Sequence, residues 1–120
     1  GYAGAAFLAA SAAARSGAGL VTLATRTAHA ATLVAARPEL MVRGCDEVAT
    51  LEPVLATADA CVLGPGLAQA AWGRALWSAV LDGARGGVLD ADGLNLLAAS
   101  PRALGPGWVL TPHPGEAARL

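Results

Sequence analysis

The chain alternates short, fully apolar runs with longer segments in which apolar residues recur every three or four positions. The short runs predict strands, and because they lack strict apolar–polar alternation they favour strands buried on both sides. These predicted strands cover residues 20–25, 40–42, 60–63, 87–89 and 108–110. The longer segments predict helices over residues 3–16, 28–37, 46–58, 69–81 and 94–97, with Pro53 kinking or splitting the third.

Short apolar strands separated by helices are typical of an α/β fold, with a mainly parallel sheet covered by helices on both faces. A length of 120 residues fits one domain, so residues 1–120 are predicted to form a single α/β domain. Hydrophobic residues make up 55% of the chain and charged residues 14%, which is a core-forming composition.

Charge and cysteine content exclude several classes of function. The net charge is −1 and the basic residues, all arginine, are scattered singly, so no nucleic-acid partner is expected. No uncharged apolar stretch reaches the ~20 residues needed to span a bilayer, so no membrane is expected either. Cys45 and Cys61 fit no metal-ligand spacing. They predict buried thiols in a reducing cytoplasm, with no metal site.

Three predicted strands end in segments rich in Gly, Pro and polar residues: GPGL (64–67), DADGLN (90–95) and TPHPGE (111–116). In a parallel sheet ligands bind outside the carboxyl ends of the strands. The three segments are therefore expected to form one site at one edge of the sheet.

The first two segments each have a structural and a functional interpretation. Gly64 and Gly66 offer bare backbone to a phosphate or pyrophosphate, but equally suit a tight turn without a ligand. Asp90 ends a strand, and Asp92 is predicted as the N-cap of the following helix in preference to a ligand-binding role. Asn95 lies three residues further on and is the stronger candidate for binding sugar hydroxyls.

The third segment holds His113 between two prolines. Residues before proline avoid helical angles, so His113 is predicted to be extended, with Pro114 opening a helix. Counting His113 as N-cap places Glu116 at the capping-box position. Ser, Asp or Asn would cap better, so a ligand-facing histidine is favoured over a purely capping one.

Four ordered segments resemble the ADP/ATP-dependent NAD(P)H-hydrate dehydratases: GAAFLAASAAARSGAGLVTLAT, VLGPGL, VLDADGLNLL and LTPHPGEAARL. The resemblance implies a ribokinase-like fold and repair of the S epimer of NAD(P)H hydrate, with ADP or ATP and Mg²⁺ as cofactors. It also implies substrate contacts from Ala5, Gly64 or Gly66, Asn95 and His113. The secondary candidates are Asp90, Asp92 and Glu116.

Two departures from the family pattern affect these expectations. Ala68 stands where family members usually have glycine. The family's nucleotide-phosphate segment and catalytic Asp are expected beyond Leu120, so the chain resembles an N-terminal portion that is inactive by itself. The full-length enzyme is expected to be a homo-oligomer with an epimerase domain or partner. Two alternatives stay open: a ribokinase-like kinase of a vitamin precursor, and a nonenzymatic nucleotide-binding relic.

Overall fold

A computed structural model describes residues 2–120. Its helices and strands alternate along the chain as α1 Ala3–Arg15, β1 Thr22–Thr25, α2 Thr27–Ala36, β2 Met41–Gly44, a 3-10 turn Val48–Thr50, α3 Glu52–Thr57, β3 Cys61–Leu63, α4 Ala71–Gly83, β4 Gly87–Leu89, α5 Ala91–Ala99, β5 Trp108–Leu110 and α6 Pro114–Ala117. Every predicted strand and helix is present, which confirms the α/β class.

The strands pair in two parallel groups. β1 pairs with β2, while β3, β4 and β5 form a three-stranded sheet in that order. In the larger sheet Leu63, Leu89 and Leu110 lie side by side. The chain therefore leaves β3, β4 and β5 in the same direction at the same edge.

Two apolar clusters anchor these strands. The larger one packs the inner face of β3 and β4 against α4 and α5, and its centre includes Leu89 and Leu94, which are almost fully buried. The smaller cluster joins α1, β1 and α2 through Ala10, Leu23 and Leu33. Since buried leucines hold α5 on both sides of Asn95, the backbone that carries this residue is firmly placed.

Two predicted boundaries are wrong in informative ways, and the predicted effect of Pro53 is confirmed. The first strand begins at Thr22 rather than at Leu20, which is 83% exposed. Pro53 splits the third predicted helix, because proline is accepted only in a first helical turn, where it lies in α3. The helix predicted over 94–97 begins at Ala91, which changes the position of both nearby aspartates.

The other face of the three-stranded sheet carries an apolar row. Val62, Val88 and Val109 are neighbours across the sheet. Val62 is 54% exposed and Val109 is 59% exposed. Within residues 2–120, this face of the edge strands β3 and β5 is therefore exposed to solvent. No helix between Tyr2 and Leu120 combines the length and apolar character needed to cross a bilayer.

The two cysteines differ in burial. Cys45 is buried in the larger cluster, as predicted, whereas Cys61 is only half-buried. Burial nevertheless raises the pKa of the Cys61 thiol. Both thiols are free.

Candidate functional site

The GPGL, DADGLN and TPHPGE segments follow β3, β4 and β5 at one edge of the sheet. The parallel ladder extends just past the strands, since Asp90 N donates to Leu63 O at 3.0 Å and Thr111 N donates to Leu89 O at 3.2 Å. This placement confirms that the three segments lie together at the carboxyl ends of adjacent strands.

Gly64 packs directly against the neighbouring segment. Its φ is +128°, and a Cβ there would collide with the carbonyl group of Asp90. Gly64 is also buried. Glycine is therefore required at position 64, because the GPGL and DADGLN segments are in direct contact there. This agrees with the structural interpretation of the turn.

Gly66 packs against the first turn of α1. Its φ is +72°, and a Cβ there would collide with the carbonyl oxygen of Tyr2. Tyr2 N in turn donates to Gly66 O at 2.8 Å. Ala5 lies in the same first turn, where its N–H donates to Tyr2 O at 3.1 Å, and it is exposed. The structure thus brings Ala5 to the GPGL turn.

Asp92 does not cap α5 as predicted, because the helix begins one residue before it. Its carboxylate instead crosses to the GPGL side. Oδ2 accepts from Ala68 N at 2.9 Å, and Oδ1 accepts from Gln69 Nε2 at 3.3 Å. Asp92 therefore fixes the turn after GPGL, and α4 begins at Ala71, later than predicted.

Asp90 holds the N-cap position that was predicted for Asp92, but its side chain makes no capping hydrogen bond. The next residue, Ala91, has a φ of +46°, in the left-handed region that disfavours residues with a Cβ. Backbone strain of this kind persists where the surrounding structure enforces it, often at functional sites. Asp90 is thus a half-buried carboxylate at the edge of the sheet without a capping role.

His113 and Glu116 form the predicted capping box. His113 Nδ1 accepts from Gly115 N at 3.0 Å, while Glu116 Oε2 accepts from His113 N at 3.0 Å. Because Nδ1 accepts, it carries no proton, and the ring's Nε2 lies 3.4 Å from Glu116 Oε1. Glu116 is buried, whereas the His113 side chain is 63% exposed. The histidine therefore caps α6 and stays accessible.

Asn95 is joined to a residue that sequence reasoning missed. Its Oδ1 accepts from Arg119 Nη1 at 3.0 Å, across 24 residues of sequence. The sequence pointed to Arg119 only through its spacing. Arg119 lies three residues after Glu116, which itself lies three residues after His113. Arg119 brings a positive charge to the side of the site formed by α5 and α6.

A second polar cluster lies at the ends of β1 and β2. Asp46 accepts from Thr27 N at 3.3 Å and pairs with Arg26 at 3.7 Å. Hydrogen bonding by Thr27, with a contribution from Arg26, holds the pKa of Asp46 below its usual value. Arg26 also stacks over Trp72, whose Nε1 donates to Cys45 O at 2.8 Å. These contacts satisfy one another and serve to hold α4 to the sheet.

The two tryptophans of α4 have structural roles. Trp77 is buried and its Nε1 donates to Gly93 O at 3.1 Å, so it fixes α5 to α4. A depression of about 230 Å³ between these helices includes Trp77 but none of the candidate site residues.

The described residues hold no cluster of candidate metal ligands. Residues 2–120 hold no group of three His, Cys, Asp or Glu side chains placed to bind a metal ion. The chain also contains no lysine.

Comparison with solved structures defines the class of the fold. A ribokinase-like superfamily protein of Enterococcus faecalis superposes with a TM-score of 0.92 at 32% identity, over 98% of this chain and 43% of that one. A Streptococcus mutans protein gives a TM-score of 0.89 at 34% identity, over 98% of this chain and 44% of that one. The fold is ribokinase-like.

Residues 1–120 match the NAD(P)H-hydrate dehydratase family, and the chain belongs to it. It is 51% identical to the bifunctional NAD(P)H-hydrate repair enzyme Nnr of Coxiella burnetii, over 100% of this chain and 24% of that protein. It is 41% identical to the ADP-dependent (S)-NAD(P)H-hydrate dehydratase of Lactiplantibacillus plantarum, over 99% of this chain and 44% of that protein. The chain thus spans less than half the length of these relatives.

Proposed function

We propose that this chain forms the substrate-binding part of an ADP- or ATP-dependent (S)-NAD(P)H-hydrate dehydratase. The observation that carries the proposal is the meeting of three family segments at one edge of the sheet. The relative from L. plantarum is named for this reaction, and the family match favours it over a vitamin-precursor kinase. The chain is proposed to act within a single, partial ribokinase-like domain.

In the proposed site each segment has a distinct role. The first turn of α1 with Ala5, together with the Gly66 turn, offers small residues and backbone amides to the pyrophosphate of the hydrate. Asn95 and the exposed ring of His113 bind polar groups of the substrate from the opposite side. Asp90 is the free carboxylate between them, while Gly64, Asp92 and Glu116 support the site through their contacts.

The nucleotide supplies the phosphoryl group that converts the added hydroxyl of the hydrate into a leaving group. No residue of this chain is assigned to that step, and residues 2–120 hold no group of three His, Cys, Asp or Glu side chains placed to bind a metal ion. We propose that the catalytic residues and the binding sites for the nucleotide and Mg²⁺ lie in sequence that corresponds to the unmatched part of the longer relatives. A homo-oligomer, an epimerase domain or partner, and a cytoplasmic location complete the proposal.

Calorimetric titration of the 120-residue chain with (S)-NADPH hydrate tests substrate binding. We expect the S epimer to bind in preference to the R epimer. A vitamin-precursor alcohol is the comparison ligand, because the kinase alternative predicts that the chain binds it. Absence of binding to the S epimer would contradict the proposal and favour the nonenzymatic alternative.

The same chain is expected to show no dehydratase turnover. Phosphoryl transfer needs positioned cations around the nucleotide, and we propose that residues beyond this chain supply them. Mixing the chain with (S)-NADPH hydrate, ATP or ADP, and Mg²⁺ should leave the nicotinamide absorbance unchanged. Recovery of that absorbance at the rate of a full-length relative would show that Asp90, Asp92 or His113 acts as the catalytic base.

A further inference from the structure

We infer that Arg119 is a positioning residue that turns the amide of Asn95 so that its Nδ2H₂ group donates to an acceptor oxygen of the bound hydrate. This role rests on the proposed function. It concerns Arg119, which is not among the residues expected to contact the substrate. It begins from the hydrogen bond of 3.0 Å between Arg119 Nη1 and Asn95 Oδ1.

The chemistry of this contact fixes which way the amide faces. A guanidinium group has only donors, so the atom that faces Arg119 must be the amide oxygen. The Nδ2H₂ group then faces away from Arg119. Within residues 2–120 this group has no protein acceptor. Asn95 is half-buried and its Nδ2H₂ group reaches solvent, so an acceptor on a ligand can take the place of water there.

Both partners are held by rigid neighbours. Asn95 lies on α5 between the buried Leu94 and Leu96. Arg119 follows the capped start of α6, and its N–H donates to Glu116 O at 3.0 Å. The capping box therefore fixes the position from which Arg119 reaches Asn95. A preorganised donor loses little freedom when the ligand binds, which favours affinity.

An oxygen atom is the ligand group that this arrangement selects. Asn95 offers N–H donors, and Arg119 adds a positive charge beside them, so a phosphate, carboxamide or hydroxyl oxygen is favoured over a donor group. The hydrate carries oxygens of all these kinds. The ligand atom expected at Asn95 is therefore an acceptor oxygen, which any of these groups can supply.

The substitution Asn95→Asp tests whether the Arg119–Asn95 contact orients an N–H donor for the ligand or only joins α6 to α5. Aspartate still accepts from Arg119 and keeps α5 joined to α6, but it has no N–H to donate. We expect the thermal midpoint to be kept or raised, while (S)-NADPH hydrate binds about tenfold more weakly. Unchanged affinity in Asn95→Asp would overturn the inference, because the contact would then serve only to hold α6.

Variants of Arg119 test whether it acts through Asn95. Arg119→Leu leaves no donor for Oδ1 and should weaken hydrate binding by about threefold to tenfold, whereas Arg119→Lys should restore most of it. Arg43→Leu, which removes an exposed charge on β2, is the matched control and should bind as the wild type does. Equal losses in Arg43→Leu and Arg119→Leu would instead indicate a general charge effect.

Nuclear magnetic resonance keeps this inference separate from the proposed function. The side-chain amide signals of Asn95, assigned by their loss in Asn95→Asp, should shift in ligand-free Arg119→Leu and return in Arg119→Lys. Absence of any shift would overturn the positioning role. If the Arg119 variants show these shifts but the wild type fails to bind the hydrate, the orientation of the amide stands, and both the proposed function and the ligand assignment fail.

Discussion

Two alanines hold left-handed backbone angles beside the candidate site. Ala68 has a φ of +61° and Ala91 a φ of +46°. The left-handed region costs a residue with a Cβ about 1 kcal/mol or more. At Ala68 the Asp92 carboxylate accepts the backbone N–H and so holds the turn in place. The resemblance that pointed to glycine at this position thus agrees with the backbone angle.

Replacing Ala68 with glycine should stabilise the protein. Glycine relieves the left-handed strain, although it also adds freedom to the unfolded chain, so we expect the free energy of unfolding to rise by about 0.5 kcal/mol. Ala75→Gly, at an exposed position inside α4, is the control and should lose stability, because glycine weakens a helix interior. Urea unfolding of both variants provides the measurement. Loss of stability in Ala68→Gly would show that the turn is not strained.

The short helix α6 links histidine chemistry to local folding. His113 caps it, and its ring is 63% exposed and is also proposed to bind the substrate. His113→Ala should cost about 1 kcal/mol of stability through the lost cap and should weaken hydrate binding by more than that. His113→Asn keeps a capping side chain but no imidazole, so it should fold normally and still bind poorly.

Calorimetric titration and thermal melts of the two variants decide between the roles. His29→Ala, which removes the other histidine of the chain from α2, is the control for binding. Normal hydrate affinity in His113→Asn would assign His113 to capping alone.

The loop after α5 is tied to α4 by an ion pair. Arg102 lies 2.5 Å from Asp82, and its hydrogen bond to the carboxylate lowers the pKa of Asp82. A lowered folded-state pKa stabilises the protein above the unfolded-state value, and this contribution is lost as the pH falls through the folded-state value. Asp82→Asn should therefore lower stability at neutral pH and reduce the loss seen on acidification.

Thermal melts from neutral pH down to about pH 2 test this expectation, since the folded-state pKa of Asp82 lies below the ordinary aspartate value of about 3.9. Asp59→Asn, at an exposed position, is the control. An identical dependence on pH in wild type and Asp82→Asn would contradict it.

The exposed valines of the three-stranded sheet predict self-association of the chain. Val62 and Val109 belong to one row across the sheet, and contiguous exposed apolar surface promotes association. We expect the apparent mass in sedimentation velocity to rise with concentration. The double variant Val62→Thr with Val109→Thr should reduce this rise while keeping strand propensity.

A matched change elsewhere shows whether the sheet face is responsible. Leu20→Thr alters a residue that is 83% exposed but lies outside the three-stranded sheet. It should leave association as in the wild type. A similar reduction in Leu20→Thr would indicate nonspecific hydrophobic association instead.

Sequence reasoning succeeded where the determinants are local. The capping box of His113 and Glu116 depends on residues three positions apart, and the edge shared by the three segments follows from strand pattern alone. It failed where a partner is distant. Asp92 was predicted to cap its own helix but binds Ala68, and Arg119 was missed because Asn95 lies 24 residues away. Asn95 and the other proposed substrate contacts remain predictions.

The hydrogen bond from Tyr2 to Gly66 has a consequence for the order of folding. It joins the first turn of α1 to a turn about 60 residues later, so the contact closes a large loop of chain. Closing such a loop costs entropy, and contacts between distant residues form slowly. Helix α1 can thus complete its docking only after β3 and its turn exist. In pulse-labelling hydrogen exchange, the amide of Tyr2 should gain protection together with the GPGL turn, and later than the interior of α4.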